Sequence, residues 1–290
     1  QTKRSIGAIA NIGTINNNGD ITVNGAYGLG IYATGAASTV TNTKNITLTG
    51  NEVIGAFGTN SSNINLTSGT VSLTGNKSTG YYLNGGTGSS ISSPTKINIT
   101  GDESNGVYIN NGSSLAYSGD TKVTGDAAYG LIVDGGSNVS AIGGTLTVGG
   151  TGTSPSKANA NRGSAALVVT KNSTLGGGKL DVTANVSGKN SVGIYSAGNL
   201  TIDSANISAH DSAVNFYTNG GTISIGNNGG TSTVVTGTGA TQGALLFYTP
   251  TGRVLLNGPV NATVEGSTDT IKRGTAFYYT GTGTLGNIAS

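Results

Sequence analysis

The stretch Lys96-Ile97-Asn98-Ile99-Thr100-Gly101-Asp102-Glu103-Ser104-Asn105-Gly106-Val107-Tyr108 decides the fold. Its first half alternates polar and apolar residues and closes on glycine, the signature of a half-buried strand. Its second half reads glycine, four residues, glycine, an apolar residue and an aromatic. Both halves recur. The second half returns at Gly25 to Tyr32, Gly50 to Phe57, Gly75 to Tyr82, Gly125 to Ile132 and Gly188 to Tyr195. The second glycines of the first five units fall at 30, 55, 80, 106 and 130, a beat of 24 to 26 residues. The alternating half returns at Asn45 to Gly50, Thr70 to Gly75, Gly144 to Gly149 and Gly221 to Gly226.

A third short apolar piece lies between these two, as in Ser38-Thr39-Val40, Ser62-Asn63-Ile64 and Ser113-Ser114-Leu115. Three strands and three turns in about 25 residues make one coil of a solenoid, each coil stacking on the last at about 4.8 Å. The expected fold is all-β: a right-handed parallel β-helix of about eleven coils with three short strands per coil. The pairs Ile46/Leu48, Val71/Leu73, Ile97/Ile99 and Leu146/Val148 should line the core as ladders. Glycine and asparagine are expected at the corners, where positive φ is needed. Later units are looser, with Ala165-Ala166-Leu167 and Asn215-Phe216-Tyr217 as degenerate copies of the aromatic strand. Residues 1–290 read as one segment of a longer solenoid, with inserted corner loops near 149–163, 237–243 and 266–274.

Composition narrows the chemistry. Of 290 residues 51 are glycine, well over twice the roughly 7 % usual in proteins. Glycine does not fall at every third position, so a collagen helix is excluded. The absence of cysteine removes disulfides, zinc–thiolate sites and cysteine nucleophiles. A single histidine, His210, leaves no multi-histidine metal centre. No metal and no cofactor are expected. A net charge of +2 is too weak to point to nucleic acid. No apolar run approaches the roughly 18 residues of a membrane span, so membrane insertion of this segment is not expected.

Tandem units such as Gly19-Asp-Ile-Thr-Val-Asn-Gly25 followed by Gly28-Leu-Gly-Ile-Tyr32 resemble the passenger segments of type V autotransporters. The similarity is greatest to the very large fusobacterial-type surface adhesins and extends over nearly the whole chain. The resemblance implies export through the outer membrane by a C-terminal β-barrel translocator outside this chain. It also implies display on the bacterial surface and attachment to a glycan or protein receptor on host cells or other bacteria. It transfers no binding motif residue by residue.

Two features are candidate binding surfaces. One is the aromatic ladder Tyr32, Phe57, Tyr82, Tyr108, Ile132, Tyr195, Tyr217 and Tyr248. Its flanking residues Ile31, Ala56, Val107, Ile109, Leu131 and Val133 are apolar, so alternation would turn them inward and the aromatics outward, but with both parities apolar period two alone does not fix the facing. Outward rings can stack on sugars, and a row of them can equally serve to stiffen the coil. The other feature is the corner before each aromatic strand. It collects Glu52, Lys77, Asp102, Glu103, Asp126, Lys157, Arg162, Lys189, His210, Asp211, Asp269, Lys272 and Arg273. Insertions and charges on one edge of a solenoid can mark its binding side, although any exposed corner gathers them. The candidate ligand-binding residues are Lys157, Arg162, Asp269, Lys272, Arg273, Tyr82 and Tyr108. The competing function is a polysaccharide-degrading β-helix, in which Asp102, Glu103 and Asp126 would meet across one coil step. No basic partner recurs beside these carboxylates, and the reading is not of an enzyme.

Overall fold

The computed structural model describes residues 4–149, 163–188, 190–239, 243–278 and 284–286. These residues wind as a parallel β-solenoid without a helix. Ten coils are complete, and the strands Thr275–Tyr278 and Thr284–Gly286 begin an eleventh. Each coil contributes to three faces. The aromatic face includes Leu29–Thr34, Ile54–Thr59, Thr79–Asn84 and Asn105–Asn110. The middle face includes Thr39–Asn42, Asn63–Leu66, Ser89–Ile91 and Ser114–Tyr117. The third includes Ile46–Leu48, Thr70–Leu73, Lys96–Ile99 and Asp120–Val123. At a strand spacing of about 4.8 Å, ten such steps make a rod about 50 Å long.

Period two explains the core. On the third face Ile46, Val71 and Ile97 stand in one inward ladder and Leu48, Leu73 and Ile99 in the next, all at most 1 % exposed. The outward positions between them hold Thr47, Ser72 and Asn98. Each such aliphatic side chain contributes about 1.5–3 kcal/mol when removed from water. The interior is narrow, and most of its polar groups are paired, Thr249 Oγ1 and Asn63 Oδ1 being the buried side-chain atoms without a partner among the described residues. Tyr81 hydroxyl donates to the carbonyl of Ile64 at 2.9 Å, and Tyr117 hydroxyl donates to Thr121 Oγ1 at 2.9 Å. A buried serine row caps the corner between the aromatic and middle faces. Ser38 Oγ accepts from the amide of Ile12, Ser113 Oγ from Gly85 and Ser137 Oγ from Ser113.

Two departures from the expected pattern have physical causes. The strands Val214–Ile225 and Leu245–Leu256 run through the corner between the aromatic and middle faces, so these coils carry two strands instead of three. The corner residues Asn219 and Thr251 pair across the step, with register shifts on either side that absorb the bend. The second departure concerns glycine. At the corner before the aromatic strand, positive φ is carried by Tyr27, Glu52, Lys77, Glu103 and Ala127, at 52° to 62°. The neighbouring Gly50, Gly75, Gly101 and Gly125 serve a different need. A Cβ on any of them would lie 1.9–2.0 Å from the carbonyl oxygen of the equivalent glycine one coil earlier. The second glycines are also clearance positions. A Cβ on Gly55 would meet Val71 Cγ1, and one on Gly80 would meet Ile97 Cγ2, each at 2.4 Å. They let the aromatic strand bend against the third face.

Candidate functional site

The register Tyr32, Phe57, Tyr82, Tyr108, Ile132, Val168, Tyr195, Tyr217, Tyr248 runs unbroken along one face. Flanking Ile31, Ala56, Val107, Ile109, Leu131 and Val133 are buried, and the ladder itself stands outward, half-buried. Because strand spacing matches ring spacing, neighbouring rings stack. Tyr32–Phe57, Phe57–Tyr82 and Tyr82–Tyr108 lie at 5.4, 5.0 and 5.0 Å between centroids, with interplanar angles of 25°, 6° and 11°. Ile132 and Val168 interrupt the row. Beyond them Tyr195 meets Tyr217 edge-on at 5.2 Å and 87°, and Tyr217 is tilted against Tyr248 at 4.8 Å. The ladder therefore stiffens the face and presents aromatic surface to solvent at once.

At the end of the first stack, Tyr108 hydroxyl donates to Asp134 Oδ2 at 3.2 Å, and Thr170 hydroxyl donates to Asp134 Oδ1 at 2.6 Å. The Thr170 bond leads the effects that hold the Asp134 carboxyl below its ordinary range. Burial, joined by the Asp134 charge, pushes the Tyr108 phenol up to about 12. The sequence pattern contains this cluster only faintly: Asp134 follows Val133 as Asn110 follows Ile109 and Asn84 follows Leu83. Its tie to Thr170 spans the inserted segment and has no local signal.

Glu52, Lys77, Asp102, Glu103 and Asp126 do collect at the corner before the aromatic strand, one coil above another. Several residues there are engaged with the backbone. Asn51 Oδ1 accepts from the amide of Asn76, Asn76 Oδ1 from Asp102, and Asp102 Oδ1 from Asp126, each at 2.9 Å. The Asp102 carboxylate thus caps the next coil. Burial, followed by the neighbouring Asp102 charge, raises the Asp126 carboxyl. Among the described residues, no group of three or more His, Asp or Glu stands where it could hold a metal ion.

In the 266–274 segment Lys272 Nζ lies 3.8 Å from Asp269, both side chains well exposed, and Arg273 Nε donates to the Ser267 carbonyl at 3.0 Å. Arg273 and Ile271 border an open cleft of about 450 Å³ with Ser212 and Thr275. Asp269, Lys272 and Arg273 therefore share one exposed segment that follows the third-face strand Val260–Val264. Lys157, Arg162 and Lys189 lie outside the described residues. Tyr82 and Tyr108 stack on each other in the ladder.

Fold and surface together define a β-solenoid with a lateral aromatic face. No family model and no curated protein matches the chain. A solved structure, the Azotobacter vinelandii mannuronan C-5 epimerase AlgE6 A-module, aligns over 93 % of this chain and 91 % of its own at 11 % identity and a TM-score of 0.27. That likeness is too slight to carry the fold, which rests on the ladders themselves.

Proposed function

We propose that the chain is a rigid segment of an extracellular bacterial adhesin, displayed at the cell surface through a C-terminal β-barrel translocator outside it. Its aromatic face meets a glycan or protein receptor on host cells or on other bacteria. The observation that carries this reading is the outward ladder. Outward positions of the third face hold mainly Thr, Ser, Asn and Lys, whereas this row places six aromatic rings between Tyr32 and Tyr217 at the solvent boundary. Aromatic side chains with polar tips suit surfaces that are dry on one side and wet on the other. A second support is the resemblance of the repeat unit to autotransporter passengers. The lack of cysteine agrees with a chain that crosses an oxidising periplasm before folding. No catalytic step is assigned to it.

The test is attachment of the purified chain to cells and to a glycan array. Tyr82→Ala with Tyr108→Ala should lower attachment at least about tenfold, as expected when central aromatic contacts are lost. The quadruple change of Lys157, Arg162, Lys272 and Arg273 to Ala should lower it less. Circular dichroism confirms that each variant remains folded. Unchanged attachment by folded variants would overturn the lateral-binding reading and leave a spacer. Release of reducing ends from a polysaccharide, abolished by Asp102→Asn or Asp126→Asn, would replace it with an enzyme.

A further inference from the structure

The corner between the aromatic and middle faces changes length from coil to coil, and one such change opens a cleft. In one coil it is four residues, Thr170–Ser173, between the strands Ala165–Val169 and Thr174–Gly176. In the next it is two, Ala197 and Gly198, between Val192–Ser196 and Asn199–Ile202. The short turn is tucked beneath the long one. A Cβ on Gly198 would lie 2.2 Å from the Ser173 carbonyl oxygen and 2.5 Å from that of Thr170. The coil after that is one residue longer, Asn219–Gly221, since Thr218 pairs with Ser196 and Thr222 with Asn199. A short turn between two longer ones leaves a notch of about 810 Å³, within the roughly 300–1,000 Å³ of small-molecule sites.

The side chains around this notch share one chemistry. Tyr195 lines it at the point where the aromatic ladder resumes, with Val168 on one side and Tyr217 edge-on on the other. One flank of its ring is thus not covered by another ring. Asn172, held at φ 66°, and exposed Lys171 project from the upper turn, and Asn199 and Asn219 border the lower side. Among the described residues, the side chains of Lys171, Asn172 and Asn199 and the Tyr195 hydroxyl make no hydrogen bond. Asn219 uses only its Oδ1, which accepts from Thr251 at 3.2 Å. Amides that both donate and accept match vicinal hydroxyls, which do the same. A ring flank suits the apolar C–H face of a pyranose. The Lys171 ammonium supplies a point charge for an anionic group. The nearby Asp134 carboxylate is already held by Thr170, Tyr108 and the amide of Gly135.

We propose that this notch binds a pyranose carrying a carboxylate, with Tyr195 beneath the ring, the asparagines on its hydroxyls and Lys171 on its carboxylate. Sialic and uronic acids share that chemistry. The proposal rests on the reading of this side of the rod as a binding surface, and it locates and specifies a site there.

Titration calorimetry on the full chain tests it with 3′-sialyllactose, trigalacturonate and lactose. At least one acidic saccharide should bind at least about fivefold more tightly than lactose, the difference expected of one charge-assisted contact. Lys171→Gln, on an exposed turn, should erase that preference. Tyr195→Leu should weaken binding about tenfold while Tyr195→Phe keeps it within about threefold, since the ring and not the hydroxyl makes the platform. Preference for either acidic probe assigns the source. Equal binding of lactose, absence of binding by both acidic probes, or binding indifferent to Lys171→Gln and Tyr195→Leu would overturn the proposal. Its failure is distinguishable from that of the adhesin reading. Cell attachment that depends on Tyr82 and Tyr108 but not on Lys171 and Tyr195 removes the notch alone. Saccharide binding without cell attachment removes adhesion alone.

Discussion

Asp126 and Asp134 are both half-exposed carboxylates, yet their surroundings push them in opposite directions. Asp126 is raised by burial and by the Asp102 charge, so the native state holds its proton more tightly than the unfolded chain does. Its contribution to stability therefore declines as pH rises through the carboxylate range to the raised folded value. The corresponding positions one and two coils earlier, Asp102 and Asn76, show that an amide can occupy this column. Asp126→Asn should raise Tm at pH 7 by a degree or so and leave it nearly unchanged well below about pH 4, where both states are protonated. Asp134 behaves inversely. Its folded pKa is depressed, chiefly by the Thr170 hydroxyl, so its stabilisation is fully present above the unfolded value and disappears as pH falls through the folded one. Asp134→Asn should lower Tm at pH 7, and the deficit should shrink in acid. Melting curves at several pH values check both signs, and parallel behaviour of the two variants would contradict them.

At the scale of the strand, alternation in the sequence was enough to assign Ile97 and Ile99 inward but not to fix the facing of Tyr108, whose strand is apolar at both parities; the burial of Val107 and Ile109 turns it outward. Glycine was not legible in the same way. A one-letter string shows that Gly106 recurs but not that its Cα lies against the third face, because that distance is set by two strands fifteen residues apart. The distinction can be measured. A Cβ on Gly106 would meet Gly130 O at 2.4 Å and Thr121 Cγ2 at 2.5 Å, whereas one on Gly176 meets nothing within 4 Å. Gly106→Ala should therefore cost about 1–3 kcal/mol by overpacking, while Gly176→Ala should be neutral or slightly stabilising through the unfolded chain. Urea unfolding of both separates clearance from conformational freedom, since equal losses would leave close packing without a role. The notch beside Tyr195 was hidden for a related reason. The shortening from Thr170–Ser173 to Ala197–Gly198 is visible in the sequence, but a cleft exists only when the two turns are stacked.

At the scale of the whole rod, each coil contacts its immediate neighbours, so the solenoid should tolerate the loss of a complete coil far better than the loss of part of one. Residues 76–101 form such a unit: Asn76 and Asp102 occupy the same corner position 26 residues apart. Joining Gly75 to Asp102 brings the Asp102 amide to Asn51 Oδ1, the acceptor that Asn76 uses now. It also sets Tyr108 against Phe57, aromatic on aromatic, and Val123 against Leu73 in the core. Thr121 would keep its bond from Tyr117, because both residues lie on the retained side. The deletion removes buried Tyr81 and Ser89, so the Ile64 carbonyl loses the hydroxyl it now accepts from and the Ile64 amide loses its Ser89 Oγ acceptor, which the register counterpart Leu115 does not replace with a side chain. A cut of about half that length would instead set inward residues against outward ones, because a slip in register reverses which face a side chain occupies. The 26-residue deletion should keep the strand spectrum in circular dichroism and shorten the rod by about 4.8 Å in small-angle scattering. The half-length deletion should lose cooperative unfolding. If both unfold alike, the coils are not the independent structural units that their stacking implies.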